Sequence, residues 1–254
     1  MTSASPMISL SIVSHGQLDL ARRAVESLAR FPPRVPFEIL VTENVAGAKT
    51  ETKAWALPVA LHTNPRPQGL AANQNAAVAR SRGEFVCLLN PDVVFVEDVF
   101  GPLLIALQGG ADLVAPTIVD SEGAVQESGR LVPTPWRLIR RRLRVGRGRP
   151  AKTPARPDWI AGTFLLLHAD TFSRLGGMDE RIRLYFEDVD LGCRATLAGM
   201  SLWIDPKVHV VHEARRASAH SAPYLFQHAV SAVRFFRSPV YRAMRERSRG
   251  KGSR

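Results

Sequence analysis

No apolar run in the 254-residue sequence approaches the roughly 20 residues that cross a bilayer. The start, Met1-Thr2-Ser3-Ala4-Ser5-Pro6, has neither the charged segment nor the apolar stretch of a secretory signal. The chain therefore reads as cytoplasmic, with at most a peripheral place on the inner face of the cell membrane. Cysteine is scarce as well. Cys87 and Cys193 each lie inside an apolar segment, too few for a disulfide framework or a four-thiolate zinc site, and are expected to be buried and reduced. Acidic residues are almost missing from two stretches: 137–149 holds seven arginines and no acid, and 242–254 holds six basic groups and Glu246. Those stretches account for the whole excess behind the net charge of +11, so the body of the protein is close to neutral.

What is present, a hydrophobic content of 45%, is enough to bury a substantial core. Apolar β-prone runs alternate with segments of helical spacing. Ile8–Ser14 reads as a strand and Leu18–Arg30 as a helix ended by Pro32-Pro33; Glu38–Thr42 and Val59–His62 read as strands. Ala-rich Gly69–Arg82 reads as a helix stopped by Gly83, Glu84–Leu89 as a buried strand, Glu97–Gln108 as a helix and Asp112–Pro116 as a strand. The alternation predicts an α/β fold with a largely parallel sheet covered on both faces. Regularity then breaks in a proline-bearing, arginine-rich loop, 133–157, with one basic helical piece. It resumes with a strand over Trp159–His168, helices over Ala169–Leu175 and Glu187–Ala198, extended runs through Ser201–His212, and an amphipathic helix over Pro223–Phe236. The tail after Pro239, polar and basic, reads as disordered.

Ligands of an open parallel sheet bind beyond the carboxyl ends of its strands. Three polar clusters fall there: Ser14-His15-Gly16, Glu43-Asn44 and Asn90-Pro91-Asp92. Pro91 turns the chain sharply and presents Asp92 beyond the sheet, where a hard divalent cation would find an oxygen ligand. Taken alone, the same tripeptide is equally a strand-ending turn. Tyr185-Phe186-Glu187-Asp188-Val189-Asp190 sets three carboxylates at a helix start, suited to a general base or simply to an acidic cap; the aromatic pair ahead of it is unexplained by capping. His212 ends a β-prone run and is, by itself, as easily structural as ligating.

Taken in order, the motifs SIVSHG, ILVTEN, NPRPQGLAANQNAA, FVCLLNPDVVF, WIAGTFLLL, GGMDERIRLYFEDVDLGCR and VHVVHEARRAS resemble family 2 glycosyltransferases of the GT-A fold, particularly their bacterial rhamnosyltransferase-like branch. The resemblance implies a Rossmann-like GT-A domain over 1–237. Its nucleotide-binding half would cover about 7–120 and its acceptor and catalytic half about 121–237, followed by a basic tail at 238–254. It further implies that Ser14 and His15 line the nucleotide pocket, that Glu43 contacts base or ribose, and that Asn64, Gly69, Ala72 and Asn73 run past the donor. Asn90 and Asp92 occupy the Asp-x-Asp position, Asp92 being the metal ligand; Gly162 and Thr163 lie near the sugar; Glu187 and Asp188 form the catalytic pair, with Asp188 the base; His212 completes the metal or diphosphate site. Two positions depart from the family pattern. Asn90 stands for a carboxylate, and Glu43 for an aspartate.

The implied activity is inverting transfer, with Mg2+ or Mn2+, from a nucleotide-sugar, dTDP-rhamnose before a UDP-sugar, to a glycan or polyprenyl-diphosphate-linked acceptor in surface polysaccharide synthesis. Trp136, Ile139 and Leu143 among the arginines of 136–149 suit an anionic membrane surface. Nucleic acid is not an expected partner, because no aromatic platform accompanies the arginines. A sugar nucleotidyltransferase would want a basic, Gly-rich loop after the first strand, and Ser14–Asp19 has one glycine and no Lys or Arg. A non-catalytic sugar-binding relative would hold donor without turning it over.

Overall fold

A computed structural model describes residues 7–45, 54–136, 138, 156–212 and 222–251. In chain order the elements are β1 (Ile8–Ser14), α1 (Leu18–Arg30), β2 (Phe37–Glu43), β3 (Ala60–Thr63), α2 (Leu70–Arg80), β4 (Phe85–Leu89), β5 (Val93–Phe95) and α3 (Phe100–Gln108). There follow β6 (Leu113–Val119), β7 (Val125–Gln126), β8 (Gly129–Arg130), β9 (Trp159–Ile160), β10 (Phe164–His168) and α4 (Ala169–Arg174). The described chain ends with α5 (Glu187–Leu197), β11 (Leu202–His212), α6 (Ala222–Arg237) and α7 (Pro239–Lys251).

The main sheet runs β3-β2-β1-β4-β10-β6-β11-β5, with β7 paired to β6. β1 to β4 pair in parallel, as does β6 with β11, whereas β10 lies antiparallel between β4 and β6. The pleat explains why β4 is apolar throughout. Phe85, Cys87 and Leu89 join one core with Ile8, Leu10 and Ile12, under Val25 and Leu28 of α1 and Phe100 and Leu103 of α3. Val86 and Leu88 face the opposite way and pack with Leu165 and Leu167 under Ala71, Phe172 and Leu191 from α2, α4 and α5. Cys87 and Cys193 are buried and unpaired, and burial pushes both thiols well above their ordinary range.

The expected strand over 159–168 is two strands in different sheets, β9 pairing β8 and β10 joining the main sheet. Between them Ala161-Gly162-Thr163 turns at the sheet edge. β11 shifts register between Asp205 and His209, where Pro206 has no N–H for the ladder. Within the tail expected to be disordered, Pro239–Lys251 is helical: Tyr241 and Met244, three residues apart, are buried in a third cluster with Trp159, Phe186, Cys193 and Phe235. Composition hid this, because three-residue spacing of two apolar side chains suffices to seat a helix that is otherwise arginine and serine. Pro135, Trp136 and Leu138 are helical; Arg137 and the rest of the basic stretch lie outside the described residues.

Candidate active site

The parallel register brings the predicted positions to one edge. Ser14 stands level with Glu43 and Glu43 with Thr63, while Ile12 stands level with Leu89, the residue before Asn90. β10 enters at the same edge through Gly162 and Thr163, because Phe164 opposes Leu89, and β11 leaves there at His212.

Glu43 is wholly buried and its carboxylate is fully used. Oε2 accepts from Ser14 Oγ (2.7 Å) and Oε1 from the Gly16 and Val45 amides (2.9 Å each), so it staples together the loops that follow β1 and β2. Gly16 makes the turn with φ of +71°. His15 remains exposed, its Nδ1 3.0 Å from Asn44 Nδ2. Asn44 Oδ1 accepts from the Asn64 side chain (2.8 Å) and the Gln68 amide (2.8 Å), and Asn64 Nδ2 also donates to Asn73 Oδ1 (2.6 Å). This amide relay ends at Asn73 Nδ2, buried with no hydrogen-bond partner. Asn44, expected at the ligand edge as part of the Glu43-Asn44 cluster but given no role there, connects His15 to Asn64. Gly69 admits the backbone of Arg183, whose Cα and carbonyl oxygen would lie 2.9 Å from any Cβ there, and Leu70 N donates to that carbonyl (2.7 Å).

Asn90-Pro91-Asp92 is the tight turn joining β4 to β5, and the Asn90 amide donates to Thr163 O (2.9 Å). Asp92 Oδ1 lies 3.3 Å from His212 Nε2, across the pairing of Val93 with His212. The ring state follows from Gln126, a residue without a sequence signal. Its Nε2 donates to His212 O (2.7 Å), which fixes the amide so that Oε1 faces His212 Nδ1 at 3.2 Å. Oε1 only accepts, so the ring donates from Nδ1 to Gln126 and presents Nε2 to Asp92. Asp92 Oδ1 is buried and has no hydrogen bond. A carboxylate oxygen and an imidazole nitrogen set side by side are the kind of donors that could share a divalent cation, and a histidine whose other nitrogen donates its proton to a neighbour is the usual form of a metal ligand. Among the described residues no three His, Cys, Asp or Glu side chains cluster for a metal, so the protein offers this pair and the neutral Asn90.

The carboxylate pair begins α5, but no acid caps it. The N-cap is Phe186, with no side-chain capping bond, and Tyr185 and Phe186 both have left-handed backbones, φ of +64° and +71°. Such conformations are strained for aromatic residues by about 1–3 kcal/mol each and persist where packing holds them. Here the Phe186 ring meets Phe235 at 5.6 Å and Phe236 at 6.0 Å, and His228 lies 5.2 Å from both Tyr185 and Phe186. The aromatic pair is thus the brace of the turn.

Asp188 Oδ2 accepts from Gly162 N (2.9 Å) and Oδ1 from Val189 N (2.8 Å). A Cβ on Gly162 would sit 3.3 Å from Asp188 Cβ. Through adjacent residues 162 and 163, Asp188 and Asn90 are therefore held in one hydrogen-bonded frame. Burial raises the pKa of Asp188, opposed by the Gly162 and Val189 amides and by Arg130. Burial, then the neighbouring Asp188, pushes Glu187 up to about 8, and its Oε2 has no partner. The Gly162 and Val189 amides favour the ionised form of Asp188, whereas Glu187 Oε2 has no donor to do the same.

That division carries a stability prediction. With a folded pKa of about 8 against an ordinary 4.5, the folded state holds the Glu187 proton more tightly than the unfolded chain does. Below 4.5 both states are protonated and burial carries no ionic penalty; stability falls as pH rises from there through about 8. Glu187→Gln is expected to reduce this fall, gaining up to about 5 kcal/mol over wild type at about pH 8.5 and little at about pH 4.5 in urea unfolding. Parallel pH profiles for the two proteins would refute it.

Comparison with known proteins supplies the family. The family described as glycosyl transferase family 2 matches residues 9–164. The N-acetylglucosaminyl-diphospho-decaprenol L-rhamnosyltransferase of Mycobacterium tuberculosis is 30% identical over 172 residues, 60% of this chain and 54% of that protein. The O-antigen biosynthesis protein RfbC of Myxococcus xanthus is 27% identical over 234 residues, 85% of this chain and 18% of that protein. The chain thus spans about half of the first relative and less of the second. Among solved structures, GalNAc-T7 with UDP, GalNAc and Mn2+ superposes with a TM-score of 0.65 at 19% identity, covering 89% of this chain and 47% of that one. The sheet and its flanking helices are those of the GT-A fold.

Proposed function

Because the chain belongs to glycosyl transferase family 2, we propose that it transfers a sugar with inversion from a nucleoside-diphosphate donor, dTDP-rhamnose before a UDP-sugar, to an acceptor hydroxyl. The acceptor proposed is a glycan or a polyprenyl-diphosphate-linked saccharide of a bacterial surface polysaccharide. The similarity to the mycobacterial rhamnosyltransferase supports that choice of donor and acceptor class. The observation that carries the reaction type is the frame joining Asp188, through Gly162 and Thr163, to the Asn90–Asp92 turn and its partner His212.

In this reading Asp188 takes the proton of the attacking hydroxyl. Its two amide donors stabilise the anion before the step, and the neutral Glu187 beside it avoids a second buried charge. Asp92 and His212 would hold a divalent cation, as the Mn2+ of GalNAc-T7 makes reasonable for this fold, with Asn90 a neutral neighbour. Bound there, the cation would offset charge growing on the leaving diphosphate. His15, with the relay Asn44–Asn64–Asn73 behind it, lines the nucleotide side; Ser14 and Glu43 shape that wall through the loop they tie together.

A thermal-shift screen of nucleotide-sugars with Mn2+, Mg2+ or a chelator tests the proposal. dTDP-rhamnose with metal is expected to stabilise the protein, by about 2.7 kcal/mol at a hundred times its Kd, and much less with chelator. Equal shifts with and without chelator would remove the metal from the reading. Absence of a shift with every donor would remove the donor.

A further inference from the structure

α6 has two unlike faces. One packs on the catalytic turn: Ser231 Oγ donates to Leu184 O (2.7 Å), and His228, Phe235 and Phe236 surround Tyr185 and Phe186. The other carries Phe226, Val230, Val233 and Arg237, at steps of four, three and four residues, so these side chains share one stripe. Phe226 is 72% exposed and Val233 50%. An apolar stripe turned to solvent on the helix that braces the active site needs an occupant.

Charge identifies it. A cavity of about 570 Å³ runs along the stripe, lined by Val230, Val233 and Ile182 together with Arg181, Arg234 and Arg237. At the same corner α7 begins, and its exposed Arg242, Arg245 and Arg249 recur at helical spacing. Arg181 is paired with Asp179 at 2.7 Å. Arg234, Arg237, Arg242, Arg245 and Arg249 make no ion pair among the described residues. A second copy of the chain meeting this face about a two-fold axis would bring like arginines together. A bilayer rich in anionic lipid supplies the complementary phosphates and an apolar interior for Phe226 in one surface.

We propose that the outward face of α6, with the arginines at the α6–α7 corner, is the surface on which this protein lies against an anionic phospholipid membrane. Docking through α6 sets the Tyr185–Asp188 turn, held by the opposite face of that helix, at a fixed height above the lipid. The inference does not depend on the donor sugar or on the reaction assigned to the site.

Co-sedimentation of the full chain with vesicles tests it, using phosphatidylglycerol mixed with phosphatidylcholine against phosphatidylcholine alone. Wild type is expected to partition onto the anionic vesicles and to leave them as salt rises. The double variant Phe226→Asp/Val233→Asp is expected to lose about tenfold or more in partition coefficient. Arg234→Ala/Arg237→Ala is expected to lose about twenty-fivefold, near fivefold per arginine. All these residues are exposed, so both variants should keep the wild-type Tm. Both retain the arginines of 137–149; undiminished vesicle binding by the variants would therefore assign attachment to that stretch and overturn the proposal. Equal binding to both vesicle types would overturn it too, as would light scattering that shows a wild-type dimer split by Phe226→Asp/Val233→Asp.

Discussion

Asp188→Asn is expected to bind nucleotide-sugar within a few fold of wild type while its turnover falls by about a thousandfold. The amide cannot take a proton from an acceptor hydroxyl at neutral pH, and nothing else at the frame replaces it: Glu187 is buried and protonated up to about 8. The substitution has a structural side effect that can be measured separately. Both oxygens of Asp188 accept backbone N–H groups, from Gly162 and Val189, and an asparagine turns its NH2 against one of them. Losing one such bond costs about 1–3 kcal/mol, to be read from unfolding and from the unchanged donor affinity. In wild type, the raised pKa of Asp188 puts the acid limb of kcat/KM above the ordinary aspartate range, with activity rising as the base deprotonates. A variant with normal turnover would remove Asp188 from the role of base, whatever its stability.

Much of this frame was legible before the fold was known, for a physical reason. β4 is apolar on both faces, so its run stands out, while β1 alternates its core residues Ile8, Leu10 and Ile12 with buried serines, and the ligand edge follows from strand direction alone. What escaped reading depends on contacts distant in sequence. The run Trp159–His168 is apolar across Ala161-Gly162-Thr163, so periodicity shows no break, and the break comes from Gly162 passing within contact of Asp188. The helix beyond Pro239 rests on two buried side chains amid arginines. Gln126 holds the ring and carbonyl of a histidine 86 positions away, and no local pattern marks it. Asp92 and His212 each looked ordinary alone. The resemblance named them both, and the pairing of β5 with β11 sets them face to face.

That facing pair carries the other large effect. Asp92→Ala is expected to abolish the metal dependence of donor-induced stabilisation and to lower kcat/KM by about a thousandfold, the scale of several kcal/mol of lost charge stabilisation. The fold should tolerate the change, because Asp92 Oδ1 accepts no hydrogen bond and its removal gives up only the 3.3 Å contact with His212 Nε2. Calorimetric titration of Mn2+ in the presence of the nucleoside diphosphate separates this from a folding defect. Wild type should show a metal-dependent heat that the variant lacks. Asn90→Asp should act in the opposite sense. Its amide is already anchored to Thr163 O at 2.9 Å, so a carboxylate can enter without moving the turn. It adds a second anion beside Asp92, which raises affinity for a divalent cation in the absence of donor. If Asn90→Asp binds Mn2+ no better than wild type does, the side chain of residue 90 points away from the cation, and the site rests on Asp92, His212 and the donor diphosphate alone.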